Sequence, residues 1–219
     1  SSPFINSPPS TPFSVFNQLN HSNPYIHTFI DRANEYWLEE FNVDGYRFDL
    51  TKGFLSGQPS DPNGYQQDRI ENLKRMANHI WDEVDKEAYV ILEHFGVPEE
   101  EKALSSHRAS ETGGMMLWNN MNHPYSQSSM GYPNDEADLS NSYYENRGLT
   151  RPNYISFMES HDEQWLMHRN RAFGNASDDG KYDVTELETA LNRQKLVGAF
   201  FFTIPGPRMM WQFGELGYG

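Results

Sequence analysis

Three short runs each carry a strand-like stretch into an acid: VDGYRFDL at 43–50 reaches Asp49, VILEHF at 90–95 reaches Glu93, and SFMESHD at 156–162 reaches Asp162. Arg47 stands two residues before the first acid and His161 directly before the last. Three acids delivered in chain order from three strand ends suit a site at one rim of a β/α barrel that cleaves a glycosidic bond. One ionised carboxylate would attack the sugar and a protonated one would release the leaving group. The third would favour positive charge on the ring.

Side chains alternate along a strand, so Gly45, Arg47 and Asp49 should face a barrel interior while Tyr46, Phe48 and Leu50 face covering helices. Arg47 then lies beside Asp49, where its fixed charge favours the carboxylate and hence a competent nucleophile. Glu93 follows the apolar run Val90-Ile91-Leu92, and a carboxyl at the end of a buried strand should keep its proton, as a general acid must. Asp162 and His161 are candidates for binding sugar hydroxyls. Singly, each motif has an ordinary structural counterpart: a buried Arg–Asp tie, a strand-terminal Glu capping a loop, a His-Asp pair capping a helix. Their joint occurrence, in order and in strand context, selects the catalytic reading.

The elements that must position these residues alternate along the chain. Residues 1–23, rich in Ser, Pro and Asn, read as an irregular lead-in, and 24–219 as the structured part. Asn23-Pro24 predicts an N-cap and first helical position for a helix over 24–41, with Tyr25, Phe29, Trp37, Leu38 and Phe41 as its apolar stripe. Strands are expected at 43–49, 89–92, 114–118, 154–158 and 208–213. Helices are expected over 64–86, 98–108 and 163–171, and from a Thr185/Glu188 capping box to residue 201. The polar stretch 119–148, with Gly131 and Pro133, reads mostly as loop with short helical turns, and its first part as a cleft lining. Trp118, Tyr125, Trp165 and Trp211 are candidates for stacking on sugars, although packing is the commoner role of any one of them. Strands joined through helices argue for right-handed βαβ units and a parallel sheet, with too few strands here to close a barrel of eight.

Composition narrows the partners. The 219 residues carry 17 Lys and Arg against 31 Asp and Glu, a net charge of −14 that argues against nucleic acid or an anionic membrane surface. A neutral polysaccharide is compatible with such a surface. No apolar run reaches the length of a membrane span. Without cysteine there is neither a disulfide framework nor thiol chemistry, and the compartment stays open between cytoplasm, periplasm and exterior. The chain opens on SSPF without Met and reads as a piece of a longer polypeptide, so it says nothing about a leader.

Taken together, DGYRFD, ILEHF and FMESHD resemble the second, third and fourth conserved regions of the α-amylase superfamily, glycoside hydrolase family 13. PGPRMMWQFGELG near the end is similar to that family's eighth strand. The resemblance implies Asp49 as nucleophile, Glu93 as general acid/base and Asp162 as transition-state stabiliser. It also implies substrate contacts by Arg47, His161 and Lys52. Family members frequently have His after that Lys, linked to a calcium site. Gly53 stands there in this chain, so calcium stays possible without a motif that supports it, and the resemblance implies no required cofactor. The family's first region, with Asn and His on the third strand, has no counterpart in 1–42. The expected fold is therefore α/β: a partial TIM-type (β/α) barrel of about strands four to eight, parallel, with outer helices.

This resemblance implies a retaining hydrolase of starch- or glycogen-like α-glucans, with the isolated chain incomplete for activity. A 1,4-α-glucan branching transferase is the alternative, because SHDE at 160–163 and GELG at 214–217 are similar to branching enzymes. A non-catalytic glucan-binding fragment is the second alternative. Exposed sheet edges in a partial barrel would favour a homodimer.

Overall fold

The computed structural model describes residues 2–6 and 17–219; the rest of the predicted lead-in, residues 1 and 7–16, lies outside them. Ile5–Asn6 (β1) and Gln18–Leu19 (β2) form a two-stranded antiparallel pair. Helix α1 (Pro24–Phe41) follows. A five-stranded sheet then takes its strands in chain order: β3 (Gly45–Phe48), β4 (Tyr89–Leu92), β5 (Met116–Asn120), β6 (Tyr154–Phe157) and β7 (Arg208–Met209). The pairs β3–β4, β4–β5 and β6–β7 are parallel. Between the strands run α2 (Gln67–His79), α3 (Pro98–Ser105), α4 (Ala109–Thr112), α5 (Asn122–Met130), α6 (Leu166–Phe173) and α7 (Leu187–Thr203). This is a partial TIM-type (β/α) barrel.

The chain divides into two compact units, one comprising Ser1–Trp118 with Gly148–Asn153 and the other Asn119–Arg147 with Tyr154–Gly219. In the first, α1 begins as the sequence predicts: the Asn23 side chain accepts from the Tyr25 N–H at 2.9 Å and Pro24 occupies the first helical position. Of the predicted apolar stripe of α1, only Leu38 is buried. Ile26, Asn34 and Leu38 are buried, whereas Tyr25, Phe29, Trp37 and Phe41 are exposed. Trp37 and Phe41, one turn apart, instead bring their rings to 4.5 Å of each other. Helix α2 follows its expected stripe, with Ile70, Leu73, Ala77, Ile80 and Trp81 buried, and passes into a π-turn at Ile80–Val84. Val90 and Leu92 of β4 are inaccessible to solvent, as a strand covered by helices requires.

The second unit packs Met121, Tyr125, Leu166, Val197 and Phe201 into one core. Three expectations change here. The stretch after β5 has the expected short helical turns, at Asp135–Ala137, Ser140–Ser142 and Tyr144–Arg147, but it opens on a full helix, Asn122–Met130, which ends on Gly131 in the left-handed region at φ 86°. Its polar sequence and Pro124 conceal that helix; proline within a first turn removes no intrahelical hydrogen bond. Tyr125 does not line a cleft for sugars: it is fully buried, edge-on to Phe201 at a centroid distance of 5.7 Å. Nor does Thr185 cap α7. The helix starts two residues later, and the Thr185 hydroxyl donates to Asp183 Oδ1 at 2.7 Å.

Smaller shifts are of register. β5 lies two residues beyond its predicted span, α6 begins at Leu166 instead of 163, and β7 pairs over only two residues. Close sheet packing also explains Gly45, which opens β3 at φ 153°: a Cβ there would stand 2.2 Å from the Tyr89 carbonyl oxygen. Gly45→Ala should therefore force β3 and β4 apart and cost about 1–3 kcal/mol. Urea unfolding of the purified chain measures this, and an unchanged midpoint would contradict the packing described.

Candidate active site

In the first unit, the register of β3 and β4 places two acids side by side. Phe48 pairs with Leu92, so Asp49 and Glu93 each follow the last paired residue of neighbouring parallel strands. Arg47, two residues before Asp49 and hence on the same face, reaches both. Its Nη1 donates to Asp49 Oδ1 at 2.7 Å, and its Nη2 lies 2.9 Å from Glu93 Oε1. That second approach is an ion pair without hydrogen-bond alignment. The guanidinium also stands over the Trp118 ring, 5.2 Å from its centroid. Trp118 thus packs on a charge beside the acids.

The environments of the two carboxylates differ. The Asp49 side chain is 68% exposed and that of Glu93 only 8%. Burial pushes the Glu93 pKa above its ordinary value, the Leu50 N–H and Arg47 oppose the rise, and the negative charge of Asp49 adds to it. The net direction is upward, as a proton donor needs. The Leu50 N–H donates to Glu93 Oε2 at 2.8 Å, and Leu50 achieves this in the left-handed region, at φ 44°. A bulky residue there is uncommon, and backbone strain of this kind concentrates at functional sites.

A cleft of about 580 Å³ opens beside these acids, lined by Asp49, Glu93, Lys52, Phe29, Phe54 and His21, among others. Burial lowers the Lys52 pKa, with the Arg69 charge acting in the same direction. Burial likewise brings His21 down to about 4, so its ring is neutral at physiological pH, stacked on Phe54 at 4.4 Å.

The second unit holds the remaining candidates. His161 Nε2 lies 3.3 Å from Asp162 Oδ2, both side chains are exposed, and the His161 ring sits 5.9 Å from that of Trp211. The turn is tied down from beneath. Ser160 Oγ accepts from the Asp162 N–H at 3.2 Å and donates to Glu163, while Asn122 Nδ2 donates to the carbonyls of Met158 and Gln164. Glu159 is buried and accepts from the Leu166 N–H at 2.6 Å, at the start of α6. Burial raises its pKa, despite that hydrogen bond. Trp165 packs edge-on to Tyr218 at 5.4 Å.

Sequence reasoning missed the buried polar residues behind Glu93, namely Thr51, Arg69, His94 and Glu100. His94, adjacent to an acid, carried a faint signal. Arg69 and Glu100 carried none, because charged residues on helices normally face solvent. Among the described residues, no group of three His, Asp or Glu side chains forms a metal site.

No protein-family profile and no curated protein matches this sequence. Solved structures do. Eubacterium rectale Amy13B superposes with a TM-score of 0.64 at 18% identity, over 99% of this chain and 40% of its own length. The fold is that of part of the barrel in such enzymes. A pullulanase from Anoxybacillus sp. LM18-11 matches with a TM-score of 0.63 at 20% identity, over 93% of this chain and 28% of its own. The α-amylase of Geobacillus thermoleovorans, solved with acarbose, matches with a TM-score of 0.58 at 17% identity, over 93% and 39%. The chain thus spans well under half the length of these relatives in structure.

The electrostatics of Glu93 have a measurable consequence. A carboxyl whose folded pKa lies above 4.5 binds its proton more tightly in the folded state than in the unfolded chain. Stability therefore falls as pH rises from 4.5 through the folded value. Glu93→Gln removes the charged form. It should be more resistant to urea than the native sequence at about pH 8, with no advantage at about pH 4. A difference independent of pH would refute the raised pKa.

Proposed function

We propose that this chain carries the catalytic acids of a retaining glycosidase acting on α-glucans. The observation that supports the reading most strongly is the unequal pair on one guanidinium. Asp49, solvated and hydrogen-bonded to Arg47, suits a nucleophile, and Glu93, buried with a raised pKa, suits a proton donor. Carboxyls that share one Arg are close neighbours, as a double displacement requires; retaining enzymes hold theirs about 5–5.5 Å apart.

In the first step, Asp49 attacks the anomeric carbon while Glu93 transfers its proton to the glycosidic oxygen. The shortened glucan leaves with a new hydroxyl, and the remaining sugar is an ester on Asp49. Glu93, now ionised, takes a proton from water, whose oxygen displaces the ester and restores both acids. Asp162 is assigned the stabilisation of positive charge on the ring, and His161, Lys52 and Arg47 substrate contact or orientation, by the resemblance of FMESHD and DGYRFD to the family's regions. Starch- or glycogen-like chains are the substrate class we assign, and a branching transferase would use the same ester with a sugar hydroxyl in place of water.

The reading is tested in the natural full-length polypeptide. Asp49→Ala should lower glucan cleavage by at least about 100-fold, a typical loss for a removed catalytic group. A 5-fluoroglycosyl fluoride should label the native protein with a glycosyl ester that peptide mass spectrometry maps to Asp49. A label on any other residue overturns the nucleophile assignment. Falling iodine staining with linear short products indicates hydrolysis, and new branch points indicate the transferase.

A further inference from the structure

Behind Glu93 lies a buried polar chain that the double displacement does not itself use. The Glu93 carbonyl oxygen accepts from the Thr51 N–H at 2.9 Å, and the Thr51 hydroxyl lies 3.0 Å from the same oxygen and 3.1 Å from His94 Nδ1. On its other side the imidazole places Nε2 2.7 Å from Glu100 Oε2. Glu100 is in turn gripped by Arg69, with Nη2 at 2.7 Å from Oε1 and Nε at 3.2 Å from Oε2. Arg69 spends its other donors on the carbonyls of Lys52, Pro62 and Gly64. Thr51, Arg69, His94 and Glu100 are all at most 1% exposed.

Such a chain is a poor way to gain stability alone, since desolvating an ion pair offsets most of its attraction and apolar residues would fill the space as well. Its donors and acceptors instead specify positions. Burial works against ionisation of Glu100, but the bonds from His94, Arg69 and the Gln66 N–H outweigh it and hold the pKa below the ordinary value. An ionised carboxylate only accepts, so His94 Nε2 carries a hydrogen. The Thr51 hydroxyl donates to the Glu93 carbonyl and sets its oxygen against His94 Nδ1, while the Thr51 N–H holds the same carbonyl. The main chain closes around the ring from the other side: a Cβ on Gly96 would stand 2.5 Å from His94 Cδ2. Phe95, between them, adopts a left-handed φ of 47° to make that turn.

We infer that His94, clamped between Thr51 and the Arg69–Glu100 pair, is a positioning residue that sets where the Glu93 proton is delivered. The inference rests on the proposed role of Glu93, and it extends that role to the buried residue that follows it in the chain. Proton delivery is sensitive to such placement, because a displacement of about 1 Å can cost on the order of 100-fold in rate.

The test compares two substrates in the natural full-length polypeptide: a linear maltooligosaccharide, whose leaving group needs a proton, and α-maltosyl fluoride, whose leaving group does not. His94→Ala should lose roughly 10- to 100-fold in kcat/KM on the oligosaccharide and only a few-fold on the fluoride. His94→Asn, whose amide can offer a hydrogen-bonding group near the Nδ1 position, should recover part of the loss. If His94→Ala does not fold, Thr51→Val, which deletes the hydroxyl at nearly constant shape, should show the same preference for the fluoride. Equal losses on both substrates, or no loss, overturn the positioning role and leave the chain as a brace of the fold. Glu93→Gln run in parallel must itself show the preference for the fluoride; equal losses there overturn the assignment of Glu93 rather than that of His94 alone.

Discussion

The site in the first unit depends on one constraint, the in-register parallel pairing of β3 with β4. That pairing sets Phe48 opposite Leu92 and so brings the next residue of each strand, Asp49 and Glu93, to the same end of the sheet. Two carboxylates brought together repel one another, and Arg47 is the group that makes their proximity tolerable. Its planar fork serves both, with a hydrogen bond to the exposed acid and an ion pair to the buried one. A lysine would offer a single point charge and no such division.

Identical chemistry in two environments yields two behaviours. Water reaches Asp49, whereas Glu93 is enclosed beneath the Leu50 amide and the end of β4. The difference in solvation does what a difference in residue type could not, since aspartate and glutamate differ little in intrinsic acidity. Much of the surrounding structure maintains that enclosure. The Leu50 amide faces Glu93 only because the chain turns through a left-handed conformation there, and the turn is held by Thr51, by Arg69 through the Lys52 carbonyl, and by α2, which carries Arg69. Folding the loop and shaping the acid's surroundings are thus one event.

The second unit solves a different problem, presenting an exposed His161–Asp162 pair from a short turn. Polar side chains beneath the turn, Asn122, Ser160 and Glu163, satisfy its backbone and one another. Glu159 ties the same turn to the first amide of α6, so helix and turn are anchored through one buried carboxyl. This anchoring explains why α6 starts later than its sequence pattern suggests: residues 163–165 belong to the turn.

Residue type and spacing alone were enough to find Asp49 and Glu93 at the ends of their strands, the Arg two residues before Asp49, the alternation of strand and helix, and the Asn23-Pro24 start of α1. Each of these is a local property, readable from period and cap chemistry. Asp162, by contrast, lies in the turn beyond Tyr154–Phe157. Tertiary structure decided the rest. It chose which face of α1 is buried, made a helix of the polar segment after β5, and placed Tyr125 in a core. Above all, it joined Thr51, Arg69, His94 and Glu100 across a loop and two helices into one buried chain. Local patterns cannot announce that chain, because a charged residue on a helix looks the same whether it meets water or a partner brought from far along the sequence.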